Sequence, residues 1–137
     1  MHDVSLIFIW LVVGAKLTFA AVIAPTVFQT LAPDAAGQLL RAVFPRLYIL
    51  CASLSGVSAL VFAVLGQFVP AALMAAMVVI YLYSRGPLTT QINTARDAEL
   101  AGDTAAKDRF DRLHKLSVRI FSMQLLGLVG VAVYWQA

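Results

Sequence analysis

The chain has 137 residues, 61% of them hydrophobic and only 12% charged, with a mean hydropathy of +0.87. So much apolar surface cannot be hidden inside one small water-soluble domain, which excludes a soluble enzyme or binding module and points to an integral membrane protein. The net charge of +3 and pI near 9.4 do not indicate nucleic acid, because the basic residues sit in the connections between apolar runs, where a membrane protein keeps its inward-facing charge.

Each span needs roughly 20 apolar residues, so the length holds one bundle of about four spans and no second domain. The expected fold is all-α, a four-helix transmembrane bundle formed by residues 1–137, with spans at about 4–31, 46–66, 71–92 and 110–136. The first span lacks the basic start and the cleavage site of a signal peptide and is read as retained. It carries Lys16 near its centre and Pro25 near its far end, where loss of one backbone hydrogen bond should kink the helix.

Pro33 and Asp34 are expected to stop that helix and cap a short interfacial one over Ala35 to Phe44, with Leu39, Leu40, Val43 and Phe44 on its apolar side. Pro45 marks the junction to the second span, whose Ala52, Ser55, Gly56 and Ser58 allow close helix approach. Gln67 to Pro70 form an uncharged turn into the third span. Tyr48, Tyr81 and Tyr83 are expected to make one aromatic belt, with Tyr134 and Trp135 at the opposite interface. Beyond Gly86 and Pro87 a polar helix continues until Gly102, and Asp103 starts the last one, so spans three and four are joined by a helical hairpin in water.

The last helix begins charged and becomes apolar without a break. Asp103 with Lys107, Asp108 with Arg112 and Asp111 with Lys115 are acid-then-base pairs at i, i+4, the order that supports a helix in water. At about 100° per residue, Phe110, His114, Ser117, Phe121 and Gln124 share one face, while Arg112, Lys115 and Arg119 share another that can meet anionic lipid headgroups. Lysine and arginine fall almost entirely in the first and third connections. By the positive-inside rule, loops 32–45 and 85–117 are cytoplasmic and both termini lie outside the cell (inner) membrane.

Three local patterns, Phe44-Pro45 with Tyr48, Gly86-Pro87 with Thr89-Thr90, and Phe110 with Leu113-His114 and Ser117, together resemble the small four-span proteins known as transmembrane protein 205-like, a domain of unknown function. The resemblance runs over nearly the whole chain. It implies a four-helix membrane bundle of unestablished activity, some relatives being associated with tolerance to platinum drugs, and it supplies no catalytic residue.

No nucleophile has a base at usable spacing, no phosphate loop is present and the spans hold no acidic residue, so an enzyme is the weaker reading. Cys51 is the only cysteine, which leaves no intrachain disulfide and no paired-thiol metal site. No cofactor or metal is expected. Ligand-binding candidates are Lys16, His114, Ser117 and Gln124. Lys16 is the only ionisable residue near mid-span, at a cost of about 2.5–3.5 kcal/mol, and no acid can pair with it. Its three possible settings are a wet cavity open to the outer face and to an anionic ligand, backbone bonding near the kink, and neutral burial; the first is favoured, with Ala20 and Ala24 on the same inward face. The functional expectation is a bundle that acts by binding, transporter-like or an accessory subunit, homo-oligomeric or joined to a membrane partner. The alternative is haem- or metal-linked redox through His114, although His2 would lie across the membrane from it.

Overall fold

The computed structural model describes residues 2–137, with nothing said of the side chain of residue 2. In chain order the helices are α1 (His2–Thr18), α2 (Ala24–Thr30), α3 (Pro33–Val64), α4 (Phe68–Tyr83), α5 (Thr89–Leu100) and α6 (Thr104–Gln136). Two π-helical turns, Phe19–Ile23 and Ser84–Leu88, join α1 to α2 and α4 to α5, so the chain forms four rods. All four rods are long and apolar enough to cross a membrane, over Asp3–Thr30, Pro33–Val64, Phe68–Leu100 and Thr104–Gln136.

Both π turns adjoin a proline. A helical proline offers no N–H and its ring crowds the carbonyl four residues back, so widening the turn just before Pro25 and around Pro87 removes the clash without breaking the rod. A hydroxyl beside each turn bonds back to the helix: Thr26 Oγ1 donates to Val22 O at 2.6 Å, and Thr89 Oγ1 donates to Ser84 O. Pro45 is handled differently. It lies inside α3, which runs through it unbroken, so the segment from Ala35 to Phe44 is helical but is the first part of the second rod and not a separate interfacial helix. Nor does Asp34 cap this helix: Ala32 is the N-cap and Pro33 occupies the first turn.

The connections are tight because glycine supplies what other residues resist. Gly66 has φ +72°, with its N–H on Ala63 O and the N–H of Gln67 on Phe62 O, while Gly102 has φ +102°, with the same bonds to Glu99 and Ala98. Both are Schellman closures. Asp103, closing the second, also opens α6 by accepting from the N–H groups of Ala105 and Ala106. With its carboxylate on the backbone it makes no ion pair with Lys107. Among the described residues, Asp108 with Arg112 and Asp111 with Lys115 do not close as ion pairs either.

In the bundle α3 packs against α1 and α4, and α1 packs against α6. A Cβ on Gly127 of α6 would come within 2.9 Å of Met77 Cε of α4, so those rods also meet. The core is a column of Ile9, Val12, Phe62, Met74 and Leu128, all fully buried, extended by Ala52 and Val131. Ser58 Oγ donates to Ser5 O at 3.1 Å and ties α3 to α1. α5 lies along the first part of α6, with Ala95 and Ala106 at zero exposure between them. At 1.5 Å per residue, α6 is about 50 Å long against a hydrocarbon core of about 30 Å, so its charged start stands clear of the bilayer.

Replacing Gly102 by Ala should cost about 1–2 kcal/mol, because an L side chain resists positive φ. Gly37, inside α3 with open space where a Cβ would stand, should behave in the opposite way, its Ala variant gaining up to about 1 kcal/mol. Thermal unfolding of the two variants in detergent, compared with the parent chain, checks both signs.

Candidate functional site

All four rods contribute to one polar centre in the buried core. α1 brings Lys16, the fourth in the sequence of inward positions Leu6, Ile9, Val12/Val13 and Lys16 at helical spacing. Its side chain is only 1% exposed. The ammonium donates to Gln124 Oε1 of α6 at 2.9 Å and lies 3.9 Å from the ring centre of Phe121 and 5.2 Å from that of Tyr81. The Gln124 amide is oriented by this bond, since only its oxygen can accept from an ammonium. α3 supplies Cys51, 1% exposed and in the same buried cluster as Tyr48 and Tyr81.

A charge-assisted hydrogen bond of about 1.5–3 kcal/mol and cation–π contacts of about 0.5–2 kcal/mol are together comparable with the insertion cost of the lysine. The charge is therefore tolerated without a carboxylate. The centre is nonetheless rich in unused donors. Gln124 Nε2 and the Tyr81 hydroxyl are buried with no partner, as are the Ser55 and Ser84 hydroxyls on α3 and in the second π turn.

On the side of the α5–α6 hairpin an aromatic layer covers the lysine. Phe19 meets Phe44 at 4.9 Å between ring centres and Phe121 at 6.5 Å, Phe44 stacks on Tyr48 at 5.8 Å, and Tyr48 faces Ser117 of α6. The water-filled pocket expected around Lys16 is thus a closed contact, and two surface concavities lie elsewhere, one along α2 from Val22 to Leu31 and one on α6 between Ala105 and Lys115. Ala20 is exposed and not on the inward face, where Phe19 beside it is buried.

The structure joins Lys16 to Gln124 and places Ser117 two turns away against Tyr48. His114 is not part of the centre. It is exposed and stacks on Phe110 at 5.7 Å, so the face of α6 that is turned to the other rods of the bundle begins at Ser117. Among the described residues no three His, Cys, Asp or Glu side chains stand together as a metal site requires. Tyr48 and Tyr81 are in the core and not in an interfacial belt; of the three tyrosines expected there, Tyr83 alone is exposed. Spacing carried the signal. Tyr48 falls in step with Cys51, Ser55, Ser58 and Phe62, and Tyr81 with Met74, Ser84 and Leu88, each set buried.

Outside the bundle, Arg41 of α3 bonds Asp97 of α5 at 2.6 Å, and this guanidinium holds the Asp97 carboxyl below the usual carboxylate range. Arg96 pairs with Glu99 at 2.9 Å and lies over Phe110. Arg112, Lys115 and Arg119 are exposed along one stripe of α6.

Fold and centre together define a small multi-pass membrane bundle built around a buried cation. A family described as a domain of unknown function, DUF4149, matches residues 7–98, and the chain belongs to it. The match takes in Lys16, Tyr48, Cys51 and Tyr81 and stops short of α6, which carries Phe121 and Gln124. Neither a curated protein nor a solved structure matches the chain.

Replacing Gln124 by Leu leaves the ammonium without an acceptor and should cost about 1–3 kcal/mol. Adding Lys16→Met removes the stranded charge at similar volume, so the double variant should unfold closer to the parent than Gln124→Leu does. Equal melting temperatures for the single and double variants would show that the two side chains are not coupled.

Proposed function

We propose that this chain acts by binding, as a transporter-like bundle or an accessory membrane subunit, and that the centre of Lys16 and Gln124 is where it binds. One observation carries the reading: a fully buried ammonium whose hydrogen-bond acceptor is the Gln124 carboxamide and not a carboxylate, in a segment where ionisable residues are retained for function by default. The same charge is unnecessary for holding the bundle together, since the column from Ile9 to Leu128 is already closed and apolar.

The distribution of Lys and Arg supports an inner-membrane orientation with the α5–α6 hairpin and the start of α3 in the cytoplasm and both termini outside. Arg112, Lys115 and Arg119 then lie at the cytoplasmic headgroups and suit anionic lipid. Within its family the chain is read as transmembrane protein 205-like on its three patterns, whose residues cluster on the hairpin side of Lys16. Phe44 and Tyr48 stack in the aromatic layer, Gly86 and Pro87 form the second π turn with Thr89 bonded back to it, and Ser117 meets Tyr48. A second copy of the chain or a membrane partner would complete such a subunit through the apolar outer faces of the rods.

Cys51 is a native reporter on this centre. A site that admits a ligand must open, so a small uncharged maleimide should label Cys51 in the folded protein faster than the bundle unfolds globally. A labelling rate equal to the unfolding rate means that the centre is only structural. For orientation, a reporter active only outside the cytoplasm should work when fused after Ala137 and fail when inserted after Asp103; the reverse would overturn the topology.

A further inference from the structure

The hydrogen-bonding inventory of the centre identifies the kind of ligand it lacks. Lys16 has three N–H donors and uses one, on Gln124 Oε1. The Gln124 Nε2 group has two donors and uses neither, and the Tyr81 hydroxyl, on the ring 5.2 Å from the ammonium, has no partner. Against these, the carboxamide oxygen is the acceptor of the ammonium and is already taken, and among the described residues no carboxylate bonds the ammonium. Three buried groups on three rods present spare donors around one positive charge, and no anion of the protein's own answers them.

The route to the centre is marked by where the helices depart from α geometry. The first π turn begins at Phe19, three residues beyond Lys16, and the second begins at Ser84, three residues beyond Tyr81. Both lie on the hairpin side, and there the covering consists of side chains, the Phe19, Phe44 and Tyr48 layer. On the other side α1, α3, α4 and α6 are regular helices closed over Ile9, Val12, Met74 and Leu128. A π turn beside a proline has already exchanged regular hydrogen bonds for weaker ones, so bending there costs less than bending within the regular rods.

We propose that the centre formed by Lys16, Gln124 and Tyr81 is a site for a small monovalent anion, a halide or a compact carboxylate, entered from the hairpin side by bending at the two π turns. This inference rests on the binding role given to the same centre above. The ammonium supplies the charge, the amide N–H groups and the phenol supply directed donors, and the aromatic surround excludes water and the larger anions.

The purified protein in detergent, with uncharged maleimide on Cys51, supplies the test. Chloride and acetate are titrated at constant ionic strength against gluconate, which is too large for the centre. Because only the empty form reacts, an anion at tenfold its Kd should slow labelling about tenfold. Lys16→Met should abolish this protection. Gln124→Glu, nearly isosteric, places a permanent carboxylate beside the ammonium and should abolish the protection while raising the melting temperature. In sealed vesicles, labelling should be faster when reagent is offered on the hairpin side, and faster labelling from the other side overturns the entry route. Labelling that proceeds in the folded protein but ignores chloride and acetate overturns the anion site and leaves the binding centre standing. Protection that persists in both variants shows a general salt effect and also overturns it. A thiol that reacts only on global unfolding removes the binding role and the anion site together.

Discussion

One contact organises the interior of this bundle: the buried ammonium of Lys16 against the carboxamide of Gln124, two side chains 108 residues apart in sequence. A cation in that setting can be held only by whatever polar and aromatic groups the neighbouring rods turn toward it. That demand brings Phe121 over the ammonium at 3.9 Å, takes Tyr81 out of the interface into the core, and fixes which way the Gln124 amide faces. An apolar residue at position 16 would release each of these constraints. The bundle would still have its column of Ile9, Val12, Phe62, Met74 and Leu128, but nothing directional to set the rotation of α6 against α1.

The rods themselves show how proline can shape a membrane helix to different degrees. Pro25 and Pro87 are accommodated by a π turn, Pro33 and Pro70 stand in first turns where a missing N–H costs little, and Pro45 is carried inside an unbroken α3. The result is that the two rods with non-α turns are the two that carry Lys16 and Tyr81, whereas the rods that carry Cys51 and Gln124 have none. The centre is thus made half of hinged and half of rigid elements.

Much of this was legible from residue order. Apolar run lengths, the glycines at 66 and 102 and the charged start of the last rod determine the all-helical fold, and the inward face of α6 from Ser117 through Gln124 follows from periodicity. What could not be read has identifiable causes. An aromatic near the end of an apolar run satisfies equally well a belt and a core position, and only helix phase with Cys51 and Met74 distinguishes the core places of Tyr48 and Tyr81. Proline signals a boundary but does not say whether a helix will end, widen or continue, which is why the segment before Pro45 looked separate. Both Phe19 and Ala20 lie about one turn from Lys16, and it is the larger Phe19 that takes the inward place and leaves Ala20 outside. His114 falls on the right face but too near the water-exposed start of the rod to be covered.

The same arithmetic of phase gives α6 a property of its own. From Ala106, packed on α5, to Gln124, bonded to Lys16, the chain is one uninterrupted helix. Its two halves therefore share a single rotational setting, like two gears keyed to one shaft. A residue gained or lost between Ala106 and Ser117 would turn one gear about 100° against the other, and either the hairpin or the bundle would have to disengage. At Ala101 to Asp103 the shaft is interrupted, and length can change there without the gears losing step.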